Sequence, residues 1–257
     1  MSAPESEALK RLLDLVRRLR GPGGCPWDRE QTPQTIKGYV LEEIYELLEA
    51  IEKDEPAAVC EELGDVCFQL LFLAELYREA NRFGLAEALE ASRAKMVSRH
   101  PHVFGTAEVS GAAEVVERWQ ELKAREGKGL LNSVPRSLPA LLRAHRLGER
   151  AARVGFDFPS AEAAAAKLDE ELGELKAAMA QGDKGACERE LGDVLLACVN
   201  VARLLKVSAE DALRGTLARF EERFRHIEER LREKGKTLQE ATLEEVDAIW
   251  DEMREKK

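Results

Sequence analysis

The sequence predicts an all-α protein built from tandem helical bundles, and three observations lead there. Of its 257 residues 34% are charged and only 5% aromatic, with Leu, Ala, Glu, Arg and Lys dominant, the usage of long amphipathic helices rather than sheets. Apolar residues recur at helical intervals. Leu41, Ile44, Leu48 and Ile51 fall at i, i+3, i+7 and i+10, and Leu168, Leu172, Leu175 and Met179 at i, i+4, i+7 and i+11. Finally, the chain contains itself twice. Leu41-Glu42-Glu43-Ile44-Tyr45-Glu46 is echoed by Asp169-Glu170-Glu171-Leu172-Gly173-Glu174, and Glu62-Leu63-Gly64-Asp65-Val66 recurs letter for letter as Glu190-Leu191-Gly192-Asp193-Val194. The same separation, 128 residues, holds at all five acids of the pattern.

The elements follow in order along the chain. Thr32-Pro33 predicts a helix start, with threonine as the cap and proline at the first helical position, and Ser160 caps the corresponding helix of the second copy. Lys53-Asp54-Glu55-Pro56 and Gln181-Gly182-Asp183-Lys184-Gly185 are short connections, so each pair of motif helices folds back antiparallel. His100-Pro101-His102 ends a helix, because proline disfavours helix at the residue before it. Looser echoes join Cys25-Pro26-Trp27-Asp28 to Gly155-Phe156-Asp157-Phe158, and Arg118-Trp119 to Ile249-Trp250. Glu126-Gly127-Lys128-Gly129 and Asn132-Ser133-Val134-Pro135 break the helical period. The expected organisation is a first domain over 1–125, a linker over 126–136 and a second domain over 137–257.

A formal charge of −10 opposes binding to a nucleic acid backbone or an anionic membrane. The start Met1-Ser2-Ala3-Pro4-Glu5 has neither a basic nor an apolar segment, and the most apolar run, Phe68 to Ala74, is too short to span a bilayer. A cytoplasmic protein is expected. The five cysteines (Cys25, Cys60, Cys67, Cys187, Cys198) are scattered and odd in number, and are read as buried, reduced thiols rather than a zinc site or disulfide framework.

The acids carry the chemistry. On their helices Glu43 with Glu46, Glu62 with Asp65, Glu171 with Glu174, and Glu190 with Asp193 each share a face. Two such helices packed antiparallel bring four carboxylates to one place, which repels itself unless a cation is bound. Oxygen-only ligands suit a hard divalent ion, and magnesium keeps positions open for substrate phosphates, with manganese as a substitute. Any single pair of acids spaced this way reads as a solvated face, but the doubled, in-register set does not. Gly64 and Gly192 stand between the acids in mid-helix, where glycine costs roughly 1 kcal/mol and calls for a reason such as close helix approach. A di-iron bundle would need Glu-x-x-His, a register none of the four histidines occupies.

Together with Cys25-Pro26-Trp27-Asp28, His100-Pro101-His102-Val103-Phe104 and Pro135-Arg136-Ser137-Leu138-Pro139-Ala140-Leu141, these acidic motifs closely resemble the two-domain form of MazG over nearly the whole chain. The resemblance implies tandem MazG-type domains, usually dimeric, that use magnesium to split nucleoside triphosphates between the α and β phosphates, as housecleaning of nucleotide pools. It implies Glu171, Glu174, Glu190 and Asp193 as metal ligands of the second copy, with Glu170 positioning or deprotonating the attacking water. Glu43, Glu46, Glu62 and Asp65, with Glu42 beside them, are the first-copy set. It assigns the triphosphate to Lys167, Arg219 and Arg223, with Trp250 near the nucleotide and Lys95 and Arg99 as first-copy counterparts. The chain departs from the family at Leu217, where an asparagine is usual, and at Arg219, where a lysine is. The rival reading is a helical dimer that senses nucleotide or metal without turnover; a purely structural scaffold is a third.

Overall fold

Proline and side-chain caps set where the helices begin. After α1 (Ala3–Arg20), Pro26 opens α2 (Pro26–Glu30), Pro33 opens α3 (Pro33–Glu52) and Pro56 opens α4 (Pro56–Glu79); α5 (Leu85–Arg99) then gives way at His100 to α6 (Pro101–Phe104). Proline suits the first helical position, where the missing N–H has no intrahelical partner to lose. At α3 the Thr32 hydroxyl accepts from the Thr35 N–H, and the Thr35 hydroxyl accepts from the Thr32 N–H. The second half holds α7 (Ala140–Ala152), α8 (Ala161–Gln181), α9 (Lys184–Leu204), α10 (Ala209–Glu233), a 3-10 turn at Leu238–Glu240, and α11 (Leu243–Glu252). Ser160, Asp183, Ser208 and Thr242 cap α8 to α11 through hydrogen bonds from backbone N–H groups. Gly182, at φ 69°, closes α8 in the left-handed region that favours glycine.

The computed structural model describes residues 3–107, 109–111, 114, 115, 118 and 129–253, and among them every regular element is helical. Trp119 and the Glu126-Gly127-Lys128 part of the expected linker lie outside the described residues. The chain divides into two compact units, Met1–Lys123 and Ala124–Lys257.

In the first unit α3 and α4 form a helical hairpin, and α1 packs across α4. Val16, Ile36, Leu71, Phe72 and Leu76 make the core. Burying such side chains contributes about 1.5–3 kcal/mol each. Within this apolar layer Glu75 is 2% exposed, and it is tolerated because Arg78 (2.6 Å) and Arg17 (3.4 Å) both reach it. In the second unit α8 and α9 form the matching hairpin, α9 packs on α7 and α10, and Ile227, Leu231 and Ile249 join α10 to α11.

One expectation fails at the surface. The cysteines have no disulfide partner but are not buried: Cys60, Cys67 and Cys198 are exposed, on outward faces of α4 and α9. The apolar stripe of α3 is left open, with Leu41 54% and Ile51 53% exposed, because one face of this helix is spent on α4 and no other described helix packs extensively on it. Leu191, Leu195 and Leu196 of α9 are open in the same way.

Candidate functional site

Because α3 and α4 run side by side, acids one turn apart on each helix reach a common seam. Carboxylate oxygens of Glu43, Glu62 and Asp65 lie within 4.8 Å of one another. The α8–α9 hairpin does the same with Glu171, Glu174 and Glu190. Each copy thus converges three of its four expected ligands, and the omitted one differs: Glu46 in the first copy, Asp193 in the second. Glu46 still lies near enough for its charge to act on Glu43 and Glu62.

That repulsion bears on the carboxyl groups one by one. Glu43 is raised above the usual carboxylate range, first by burial and then by the charges of Asp65, Glu46 and Glu42, while a hydrogen bond from Gln69 opposes the shift. Glu62 is raised by desolvation and by Glu46, Glu61, Asp65 and Glu43. Glu174 is raised first by Glu171, and Lys167 pulls it back. The oxygen-only donor sets fit a hard divalent cation, which would turn this mutual repulsion into attraction. Gly64 and Gly192 face open space, with no heavy atom within 4 Å of where a Cβ would stand, so close helix approach is not their reason.

The partners of the two clusters differ. Gln69 donates from Nε2 to Glu43 Oε1 at 3.3 Å. In the second copy the register position of Gln69 is Ala197, and a cation enters from elsewhere. Lys167 Nζ lies 2.7 Å from both Glu170 Oε1 and Glu171 Oε1, and these bonds raise its own pKa strongly. The first-copy register position of Lys167 is Tyr39, whose ring meets Trp27 edge-on at 5.7 Å. Gln69 was missed by sequence reasoning, although its place four residues after Asp65 and seven after Glu62 puts it on the same face of α4.

The other basic candidates lie on α5 of the first unit and α10 of the second. Arg223 lies over the Trp250 ring at 5.1 Å, and Phe220 flanks that ring at 5.5 Å, so Trp250 anchors α11 on α10. Arg219 donates to Thr216 Oγ1 of its own helix at 2.8 Å. Lys95 and Arg99 sit on α5, which packs on α4 and α6, and Arg99 is 7% exposed. Glu42 and Glu170 both stand at the rim, Glu170 taken up by Lys167. The second unit also holds a cavity of about 620 Å³, lined mainly by apolar residues of α7, α9 and residues 155–158, with Asp157, Asn200 and Arg203 at its polar end.

Residues 31–104 and 160–228 match the MazG nucleotide pyrophosphohydrolase domain, one segment for each acidic cluster. The chain belongs to the MazG family. It is 39% identical to the nucleoside triphosphate pyrophosphohydrolase of Escherichia coli K12, over 96% of this chain and 97% of that protein. It is 38% identical to the nucleoside triphosphate pyrophosphohydrolase/pyrophosphatase MazG of Thermotoga maritima, over 95% and 94%. The Bacillus subtilis protein YabN is 40% identical over 94% of this chain and half of its own length. Both MazG segments include all four acids of their copy, the second also includes Lys167, Arg219 and Arg223, and Trp250 lies beyond it. No helix among the described residues is long and apolar enough to cross a membrane.

Proposed function

We propose that this MazG-family chain hydrolyses nucleoside triphosphates between the α and β phosphates, releasing a nucleoside monophosphate and pyrophosphate, in the service of nucleotide-pool housecleaning in the cytoplasm. The observation that carries this reading is the convergence of three carboxylates within 4.8 Å in each copy, on chain segments that both match the pyrophosphohydrolase domain. Magnesium, with manganese as substitute, is the cation these oxygen donors suit, held by Glu171, Glu174, Glu190 and Asp193 in the second copy and by Glu43, Glu46, Glu62 and Asp65 in the first. When bound it supplies charge neutralisation on the phosphate oxygens and acidifies a neighbouring water.

The protein's own groups do the rest. Glu170, on the exposed rim beside Glu171, orients a water and accepts its proton; Glu42 stands at the same position in the first copy. Lys167 meets the triphosphate from the acid side, while Arg219, Arg223 and Trp250 hold it from α10 and α11. We assign turnover to the second copy, because there a cation already stands among the acids, and a polyphosphate needs positive charge as well as metal. Each copy is a domain, 1–125 and 137–257, joined over 126–136. The uncovered apolar stripes of α3 and α9 support a homodimer, in which a second copy would cover them.

Product analysis tests the reading. With magnesium, the full chain should convert a panel of triphosphates to monophosphate plus pyrophosphate. Release of orthophosphate and a diphosphate would overturn it; binding without any product would favour the nucleotide- or metal-sensing alternative.

A further inference from the structure

The two clusters share their acids but not their counter-charge. Glu171 is 7% exposed, and its Oε1 is 2.7 Å from the Lys167 ammonium. The neighbouring Glu170 accepts from the same ammonium at 2.7 Å, so Lys167 bridges the rim acid to the buried one. Lys167 lies one turn before Glu171 on α8, and its side chain is 37% exposed, which leaves room for the head group to leave. In the first cluster the same register holds Tyr39, and the partner of Glu43 is the neutral Gln69 amide. Among the described residues no ammonium is paired with Glu43.

We infer that Lys167 is a resident counter-cation of the second cluster, standing where divalent charge is to be bound and exchanging with it. This rests on the metal reading above and extends it: among the described residues the first cluster takes a divalent ion against a neutral amide, whereas the second does so against one unit of positive charge on Glu171. The exchange frees the Lys167 ammonium for the phosphates of a substrate arriving with the ion. Before loading, the Lys167 ammonium sets one positive charge against the buried Glu171 carboxylate at 2.7 Å. The same residue therefore keeps the empty cluster tolerable and makes its loading conditional.

Manganese binding to the full-length protein, followed by calorimetry without nucleotide, tests this apart from activity. Glu43→Gln isolates the second cluster and Glu171→Gln the first. In the Glu43→Gln background Lys167→Met should tighten manganese binding roughly tenfold, the effect of removing one nearby charge, while Lys167→Arg should leave it near the parent value. In the Glu171→Gln background Tyr39→Lys should weaken binding by a similar factor. Unchanged or weaker binding in Lys167→Met overturns the counter-cation role while leaving the metal site standing. Absence of manganese binding in both single-cluster backgrounds overturns the metal reading and this one together. Thermal melting of each variant confirms that a change in affinity is not a loss of fold.

Discussion

In the first cluster Glu43 is steadied by a neutral amide at 3.3 Å, and in the second Glu171 is steadied by an ammonium at 2.7 Å. The carboxylates are duplicated letter for letter, yet two of the three acids gathered in the first cluster are raised by burial and by one another, against one in the second. Repetition of ligands therefore does not repeat a site. What surrounds the acids decides how strongly each cluster asks for a cation and what else it can hold.

The largest expected difference is in turnover. Glu171→Gln should lower kcat on the order of 100-fold, about 2.7 kcal/mol of lost metal-assisted stabilisation, while Glu43→Gln changes it by less than about threefold. Steady-state assays of both variants check this, and equal losses would break the assignment of chemistry to the second copy. Stability should separate the units next. Asp157→Ala strands Arg203, whose side chain is 9% exposed, and should cost about 3 kcal/mol. Glu75→Ala should cost about half of that, because its partners Arg17 and Arg78 are 46% and 51% exposed and regain water. Chemical denaturation, read unit by unit, compares them.

Acidification should separate the clusters further. A carboxyl raised in the folded state favours the metal-free fold when protonated, and that contribution is lost as pH rises through its folded range; metal binding needs the opposite form. Manganese affinity should therefore fall as the pH is lowered towards the carboxylate range, and should begin to fall at higher pH at the first cluster, where Glu43 and Glu62 are both raised, than at the second. The smallest effect belongs to Gln69→Ala. Losing its hydrogen bond should raise Glu43 further and move that pH profile upward, measurable by the same titration.

Periodicity and caps made the helices readable in advance, because Thr32, Pro33 and Ser160 act through their immediate neighbours in the chain. The acidic faces were readable for the same reason: residues three apart on a helix share a side whatever the tertiary fold does. Which three of four acids meet was not, since rotamers respond to the sum of neighbouring charges. Gln69 was hidden because it reaches Glu43 across 26 positions of sequence and belongs to no motif. The cysteines were misjudged because the burial usual for that residue type says nothing of which helix face a given cysteine occupies.

Glu75 on α4 and Arg203 on α9 stand 128 residues apart, at one register of the duplication with opposite charge. In a chain that carries the same hairpin twice, the wrong helices can meet while it folds, a hazard common to tandem repeats. Were α1 to dock on α9 instead of α4, Arg17 would meet, in place of the Glu75 carboxylate, the guanidinium of Arg203, whose own carboxylate partner is Asp157. Each half thus carries a charge that rejects the other's helices, and a chimera exchanging α4 for α9 inherits that rejection.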